Sequence, residues 1–580
     1  MSTKPGETHS LPAAEKQTRL FLLVLVLVSV LQYSHSFGNG FVWDAKGVFV
    51  DDPTIRELKY LPRYFTEVSA LGDPSRRTAP AGVSVTSIPY YRPLMKVVHL
   101  AEHAVFGTNP IPYNAVDILL NALVVALCFS VVRSVTGNPK VAFLSSLLYA
   151  VNPARAEVVS WSYSDPYIVG AIFSLSAFLL YDRRRYLLSL LSFGLALLSH
   201  ETAVLVPFIL LSYELLIRRD RTFAPVGRLS GFFLLAGIFL LLRRSVAGPM
   251  PVTDLGPFTL ANAAVVLVNR YVKIFFLPDA PVTIYQYRPG MFASLNGEVM
   301  LSYAAAALLS GFGLFLWLKK RPLFFWYLWF FVFISASFNV GRFGDYLMAE
   351  KMLYVASIGL CVVIAGLLES IGGKRLGAGL VALFAVLHFG VTFHRTLFWT
   401  DTATYLEKAL EFAPDFYLGH YALGNEHASQ KRYDGAIQEY GKTLALKPDL
   451  SFAGGYISDL YNEKGYEYAS AGRYEEAMKE YEKSLSVRPE QSAVYNNIGN
   501  IYALGGHYGD ALKAWQKAAG LDPSNYEASF NLALAYEKKG DLNSALRYYR
   551  ACLGLATQLT PSLQEKVREL EQRKSGLRGR

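Results

Sequence analysis

Cysteine is almost missing from this chain: Cys128, Cys361 and Cys552 are the three in 580 residues. They are too scattered for a disulfide framework or a metal-binding spacing, so neither an oxidising nor a reducing compartment is excluded. Charge is also scarce, at 18% against 52% hydrophobic residues. The sequence holds no phosphate-binding Gly-rich loop, no dinucleotide glycine fingerprint and no His-Glu-x-x-His helix, which removes the common nucleotide, nicotinamide and zinc-protease chemistries. His99 and His103 stand four apart. Without a third ligand they read as ordinary polar positions, and no metal site is expected. A net charge of +10 would point to nucleic acid in a soluble protein. Here the basic excess sits in short loops between apolar runs, so it reports membrane topology and no nucleic-acid partner is expected.

The length allows two or more domains. Repeated apolar runs fill residues 1–398, and the sequence beyond is charged and helical in period. The run Leu20–Leu31 follows Lys16 and Arg19, with no small-residue cleavage site close behind. It reads as a signal-anchor span over 18–36 rather than a removed signal peptide. Further spans are expected near 114–132, 139–151, 166–181, 186–199, 203–217, 229–242, 299–318, 322–338, 352–369 and 376–394, eleven in all. The stretch 259–277 is apolar but carries Asn262, Asn269, Arg270 and Lys273, and reads as an interfacial or re-entrant helix.

Arg133, Arg183–Arg185, the basic group from Arg218 to Arg221, Lys319–Arg321 and Lys374/Arg375 occupy alternate short loops. With the N-terminus inside, all of them fall on the cytoplasmic side, and Arg243 and Arg244 are the exception. The first long loop, 37–112, is then exoplasmic. So is everything after the last span.

The last third repeats. Gly465 and Gly499 are 34 residues apart, and Gly424, Gly465 and Gly499 are each followed by Ala436, Ala477 and Ala511, then Tyr440, Tyr481 and Trp515, then Pro448, Pro489 and Pro523. Small residues let two helices approach, an aromatic fills between them and a proline ends the second helix, which is the tetratricopeptide pattern. Residues 399–558 hold three to four units behind a leading half-unit ending at Pro414. About seven extra residues around Ser451–Tyr456 are expected to lengthen a turn, and 559–580 to form a capping helix and polar tail. The fold class is therefore all-α, a polytopic membrane domain followed by an α-solenoid. Asn496, Asn497, Asn500 and Asn531 lie near first-helix positions that face a solenoid groove. They read either as amides that hold an extended peptide by its backbone or as helix-surface polarity.

Asp44, Asp51 and Asp52 follow the first span closely, in NGFVWDAKGVFVDDPTIRELKYLPRYFTE. A carboxylate at the interface suits a base for glycosyl transfer to a hydroxyl. By composition alone these residues read equally as solvated turn positions, with Asp52-Pro53 starting a helix. This segment, YYRPLMKVVHLAEHAVFGTNPIPYNAVDILLNAL, NPARAEVVSWSYSDPYIVGAIF, SHETAVLVPFILLSYE and MAEKMLYVASIG, in that order and followed by the repeats, resemble the transmembrane and tetratricopeptide repeat-containing O-mannosyltransferases and their bacterial relatives. These belong to the GT-C class of polyprenyl-phosphate-sugar glycosyltransferases.

The resemblance implies a GT-C-like membrane enzyme that moves a sugar from a polyprenyl-phosphate donor to a hydroxyl acceptor, with a catalytic carboxylate in the first exoplasmic loop. The family's acidic pair falls on Asp44 and Ala45, so Asp44 is the expected base, with Asp52 or Asp51 as alternatives. Arg92, Glu157, Asp165, His200, Glu201, Arg342, Glu350 and Lys351 are expected around the donor phosphate and its lipid. Where the family often has lysine, His200 would make the local charge depend on pH. The resemblance leaves room for a divalent cation beside the donor phosphate, although the cofactor stays unknown. The expected partners are membrane lipid, the lipid-linked sugar and a protein or peptide acceptor presented by the repeats. Ala45 keeps a second reading open, a non-catalytic membrane-anchored repeat scaffold. Few cysteines and the bacterial-like strings favour an inner membrane with a periplasmic array, and an endoplasmic-reticulum membrane with a luminal array has the same topology.

Overall fold

The computed structural model describes residues 13–67, 90–219, 222, 224–248, 256–277, 285–286, 292–338, 346–370, 374–555 and 560–578. It forms two compact units, Met1–Pro414 and Asp415–Arg580. In the first unit the helices run α1 (Ala13–Gln32), α2 (Asp44–Phe49), α3 (Pro93–Phe106), α4 (Pro110–Thr136), α5 (Pro139–Val151), α6 (Ala156–Ser160), α7 (Asp165–Asp182), α8 (Tyr186–Ser199), α9 (Val206–Tyr213), α10 (Ala224–Ala247), α11 (Gly256–Phe276), α12 (Gly297–Lys319), α13 (Arg321–Ile334), α14 (Leu353–Ser370), α15 (Lys374–Thr396) and α16 (Thr402–Phe412). The unit boundary falls after Pro414 rather than at residue 398, because α16 packs back on the membrane unit: Tyr405 lies 4.5 Å from the Trp399 ring and 5.6 Å from that of Trp43. Strand structure among the described residues is one short antiparallel pairing, Tyr285–Gln286 with Tyr346–Met348.

Among the described residues eight helical stretches are long and apolar enough to cross a membrane, and α5 and α8 are shorter apolar helices. The stretch 259–277, expected at the interface, falls largely within α11, a continuous 21-residue helix that has the length for a crossing. Its polar side chains are satisfied inside the unit. Asn262 donates to the Phe292 carbonyl at 2.9 Å and accepts from Tyr303 at 3.0 Å, and Arg270 pairs with Glu298.

The first loop is fixed to one end of this bundle by its backbone. Asn114 donates to the Asn39 carbonyl at 2.7 Å, Gly40 N–H to the Thr400 carbonyl at 2.8 Å, and Trp161 Nε1 to the Val42 carbonyl at 2.9 Å. The start of α2 is thereby held among the start of α4, the turn after α6 and the chain that leaves α15.

The second unit pairs α17 (Tyr417–Ser429) with α18 (Tyr433–Leu446), α19 (Ser451–Ser470) with α20 (Tyr474–Val487), α21 (Ser492–Leu504) with α22 (Tyr508–Leu521), and α23 (Tyr526–Lys538) with α24 (Leu542–Leu555). The repeat spacing has a steric cause. A Cβ at Gly424, Gly465 or Gly499 would lie 2.6–2.7 Å from the ring of Tyr440, Tyr481 or Trp515. The extra residues before the second unit do not lengthen a turn. They extend α19 to 20 residues, because Tyr456 has rings to pack on, 5.5 Å from Tyr440 and 6.1 Å from Tyr421. A last helix, α25 (Thr560–Arg578), buries Leu563, Val567 and Leu570 in the α24 core.

Helices α13 and α14 approach most closely at Gly359, where a Cβ would strike the Trp326 carbonyl oxygen and lie 2.9 Å from the Phe330 nitrogen. Backbone cannot yield there as a side chain does. Gly359→Ala should cost about 1–3 kcal/mol or more, read as a lowered Tm of the purified protein in detergent. Gly390→Ala, where nothing lies within 4 Å, should leave Tm unchanged or slightly raised. Equal Tm values for both variants would contradict the α13–α14 packing.

Candidate active site

Asp44 is the first residue of α2. The residue before it, Trp43, has φ 49° and ψ −118°, a conformation unfavourable for a bulky side chain. It is held there by a 2.9 Å hydrogen bond from its N–H to Thr402 Oγ1 and by its ring packing on Tyr405. The half-buried Asp44 carboxylate makes no hydrogen bond or ion pair among the described residues. Burial pushes its pKa up to about 6, while the Lys351 ammonium pulls it back down. Ala45, in place of a second acid, is fully buried in apolar packing.

The other two aspartates are placed differently. Asp52 Oδ1 accepts from Thr54 N at 2.8 Å and Thr54 Oγ1 at 2.6 Å, and Oδ2 pairs with Lys96 Nζ at 2.5 Å. It caps the turn that Pro53 opens. Burial alone would raise its pKa, but Lys96 and Thr54 together hold the carboxyl below its ordinary range. Asp51 is exposed.

Arg92 stands just before α3, where Pro93 starts the helix. Its Nε donates to Glu201 at 2.9 Å and its Nη2 to His200 Nε2 at 3.1 Å, while Nη1 makes no hydrogen bond among the described residues. The guanidinium lies 4.2 Å over the Tyr90 ring and 5.9 Å from that of Tyr167. Both ring nitrogens of His200 face N–H donors, Nε2 that of Arg92 and Nδ1 the Thr202 backbone N–H at 3.2 Å, and Thr202 Oγ1 lies 2.8 Å from Nδ1. The expected pH-dependent charge at His200 is not what the structure gives. Burial, Arg92 and Lys351 push its pKa well below the ordinary value, so the ring stays neutral near pH 7.

Lys351 completes the cationic side. Its Nζ lies 3.6 Å from Glu157 and 4.6 Å over the Trp161 ring, and its backbone N–H donates to Glu157 at 3.1 Å. Burial raises the Glu157 pKa, and Lys351 opposes that rise. The Tyr167 ring connects the two cations, being 5.8 Å from Lys351 and 4.0 Å from the His200 ring. Asp44, Arg92, Glu157, His200, Glu201 and Lys351 thus share one polar cluster walled by Tyr90, Tyr163, Tyr167 and Trp161. Asp44 lies within electrostatic reach of Tyr90, Tyr163 and Lys351. The sequence reading did not single out these aromatic residues, although YYRP and WSYSDPY contain all four.

Two expected residues serve elsewhere. The Glu350 carboxylate is buried and binds Arg395 at 2.6 Å, while Arg395 also donates to the Pro153 carbonyl, which fastens α15 to the turn after α5. Asp165 Oδ2 lies 2.7 Å from His99 Nε2. Arg342 lies outside the described residues. Away from the cluster, Val265 and Val268 of α11, Leu309 and Trp317 of α12, and Phe324 and Tyr327 of α13 line an apolar cleft of about 630 Å³.

In the repeats, the four asparagines join one another and their neighbours. Asn531 donates to Asn496 and Asn500, both at 2.9 Å, Asn497 donates to Asn462 at 3.1 Å, and Asn500 also accepts from Trp515 Nε1 at 3.0 Å. This amide ladder ties α19, α21 and α23 together.

The family model described as dolichyl-phosphate-mannose-protein mannosyltransferase matches residues 93–244. Tetratricopeptide models match 465–506, 499–540 and 526–558. The mouse (Mus musculus) Protein O-mannosyl-transferase TMTC3 is 22% identical over 486 residues, covering 74% of this chain and 51% of that protein. The Caenorhabditis elegans Protein O-mannosyl-transferase F38B6.6 is 20% identical over 478 residues, covering 77% of this chain and 66% of that protein. Human (Homo sapiens) Protein O-mannosyl-transferase TMTC1 is 33% identical over 99 residues, 17% of this chain and 11% of that protein. The chain spans about half the length of the first of these relatives. With several helices fit to cross a membrane, a tetratricopeptide array and these matches together, the chain is similar in sequence and domain order to the O-mannosyltransferase-like transmembrane and tetratricopeptide-repeat proteins.

Proposed function

We propose that this chain transfers a sugar, mannose by the names its relatives carry, from a polyprenyl-phosphate donor to a hydroxyl on a protein. Asp44 carries the reading: a carboxylate with no hydrogen bond or ion pair among the described residues, raised to about 6, next to a cluster holding two cations. Such a base is mostly ionised at neutral pH and still accepts a proton readily, which suits general-base work. The acceptor oxygen attacks the anomeric carbon as Asp44 takes its proton. The bond from that carbon to the phosphate oxygen breaks, and its electron pair leaves with the lipid phosphate. Arg92, through its unengaged Nη1, and Lys351 stabilise that departing charge. Glu201 and His200 position the guanidinium, and Glu157 positions Lys351. One base suffices for an inverting displacement, so Ala45 does not remove the chemistry.

The apolar cleft between α11, α12 and α13 suits the carrier's hydrocarbon tail, and the repeat array suits an acceptor polypeptide. Alternating basic loops favour an exoplasmic active face, periplasmic in a bacterial inner membrane. The same charge pattern fits a luminal face in the endoplasmic reticulum.

The direct test supplies membranes bearing wild type or Asp44→Asn with labelled polyprenyl-phosphate mannose and follows label into protein. The variant should label at least about 100-fold more slowly. Equal labelling would remove Asp44 as the base, and no labelling from wild type with any common sugar would sink the transferase reading.

The same carboxylate carries a stability cost. Its folded pKa, about 6, lies above the reference 3.8, so the folded state holds the proton more tightly and ionisation destabilises it. Asp44→Asn should therefore gain about 1–2 kcal/mol at pH 7, discounted for the solvent that reaches the group. The gain should shrink as pH falls below 6 and vanish below about 4, measured as Tm against pH for both proteins.

A further inference from the structure

His99 and Glu102 sit one turn apart on one face of α3, and Asp165 is the first residue of α7. One ligand-capable atom from each lies within 4.8 Å of the other two. His99 and Asp165 are each 4% exposed. The Asp165 Oδ1 oxygen is buried without a hydrogen bond among the described residues. Asp117, in the second turn of α4, is also 4% exposed and makes no hydrogen bond or ion pair there. Its carboxyl lies within electrostatic reach of Asp165 and Glu102.

The group is unbalanced in charge. Three carboxylates converge on one imidazole, and no lysine or arginine pairs with any of them among the described residues. Lys96, on the same helix, is engaged by Asp52. Burying several carboxylates without a cation is costly, and protons or a metal ion can meet that cost. The Phe49 ring, 4.9 Å from His99 and at 68° to it, closes one side with apolar surface.

We propose that His99, Glu102 and Asp165 bind a divalent transition-metal ion, with Asp117 as a flanking counter-charge. One imidazole nitrogen and two carboxylate oxygens suit zinc, which takes such ligands at about 2.0–2.2 Å and leaves a fourth position open when three side chains bind it. Ligand atoms around such an ion stand roughly 3.3 Å apart, so small side-chain rotations bring the present cluster to that spacing. The site shares no residue with the cluster of Asp44, Arg92 and Lys351, and it stands whether or not the transferase reading does.

The test uses the full chain purified in detergent, stripped with chelator and dialysed against zinc, manganese or magnesium. Elemental analysis should find about one zinc per chain, with a raised Tm on zinc addition and no rise with magnesium. Glu102→Gln, the variant least buried in the cluster, and Asp165→Asn should each lose at least about nine-tenths of that metal, while Asp51→Asn keeps it. If Asp165→Asn does not fold, the wild-type measurement and Glu102→Gln decide the matter. Folded wild type that takes up neither zinc nor manganese, or Glu102→Gln and Asp165→Asn that retain wild-type zinc, would overturn the proposal and leave a proton-balanced cluster.

Discussion

The polar end of the membrane unit depends on one guanidinium. Arg92 joins the chain before α3 to the turn after α8 by donating to Glu201 and His200, and it rests against rings that include Tyr167 of α7. A cation beside a membrane bundle must be met from several sides at once. Meeting it draws three separate stretches of chain to a common point. The same arrangement leaves one nitrogen of Arg92 without a hydrogen bond among the described residues. Lys351 repeats the device with Glu157 and Trp161, and Asp44 lies within electrostatic reach of Lys351 without an ion pair among the described residues.

This distinction between engaged and unengaged charge separates the residues that shape the site from those that act in it. Asp52 caps a turn while bound by Lys96, and Glu350 is bound by Arg395, which also donates to the Pro153 carbonyl. Removing either would cost structure first. Asp44 has no such partner, and its backbone is held through Trp43 in a conformation that the rest of the loop must enforce. Free charge and local strain both cost stability, and they tend to persist where function needs them.

The helical class, the membrane unit and the repeats were legible because each follows from spacing: apolar length for helices that cross a membrane, and glycine opposite an aromatic for the repeats. The co-location of Arg92, Glu157, His200 and Glu201 was legible through loop charge and family resemblance. Pairing was not. Nothing in the sequence shows that Glu350 belongs to Arg395 or Asp165 to His99, since those contacts join helices far apart in the chain. Extra residues between repeats suggest a longer turn around Ser451–Tyr456, while the stacking of Tyr456 that favours helix is tertiary. His200 was read as a pH-sensitive charge because its neighbour Arg92 lies more than one hundred residues away in sequence.

The proposed base is Asp44, with a proton affinity set by burial against Lys351. The pH dependence of kcat/KM for sugar transfer, measured on wild type and Lys351→Met, tests it most directly. The account predicts an acid limb near pH 6 in wild type that moves upward by roughly half to one unit in the variant, because losing the ammonium removes what favours the carboxylate. An acid limb that is absent near 6, or that stays in place when Lys351 is neutralised, would contradict it.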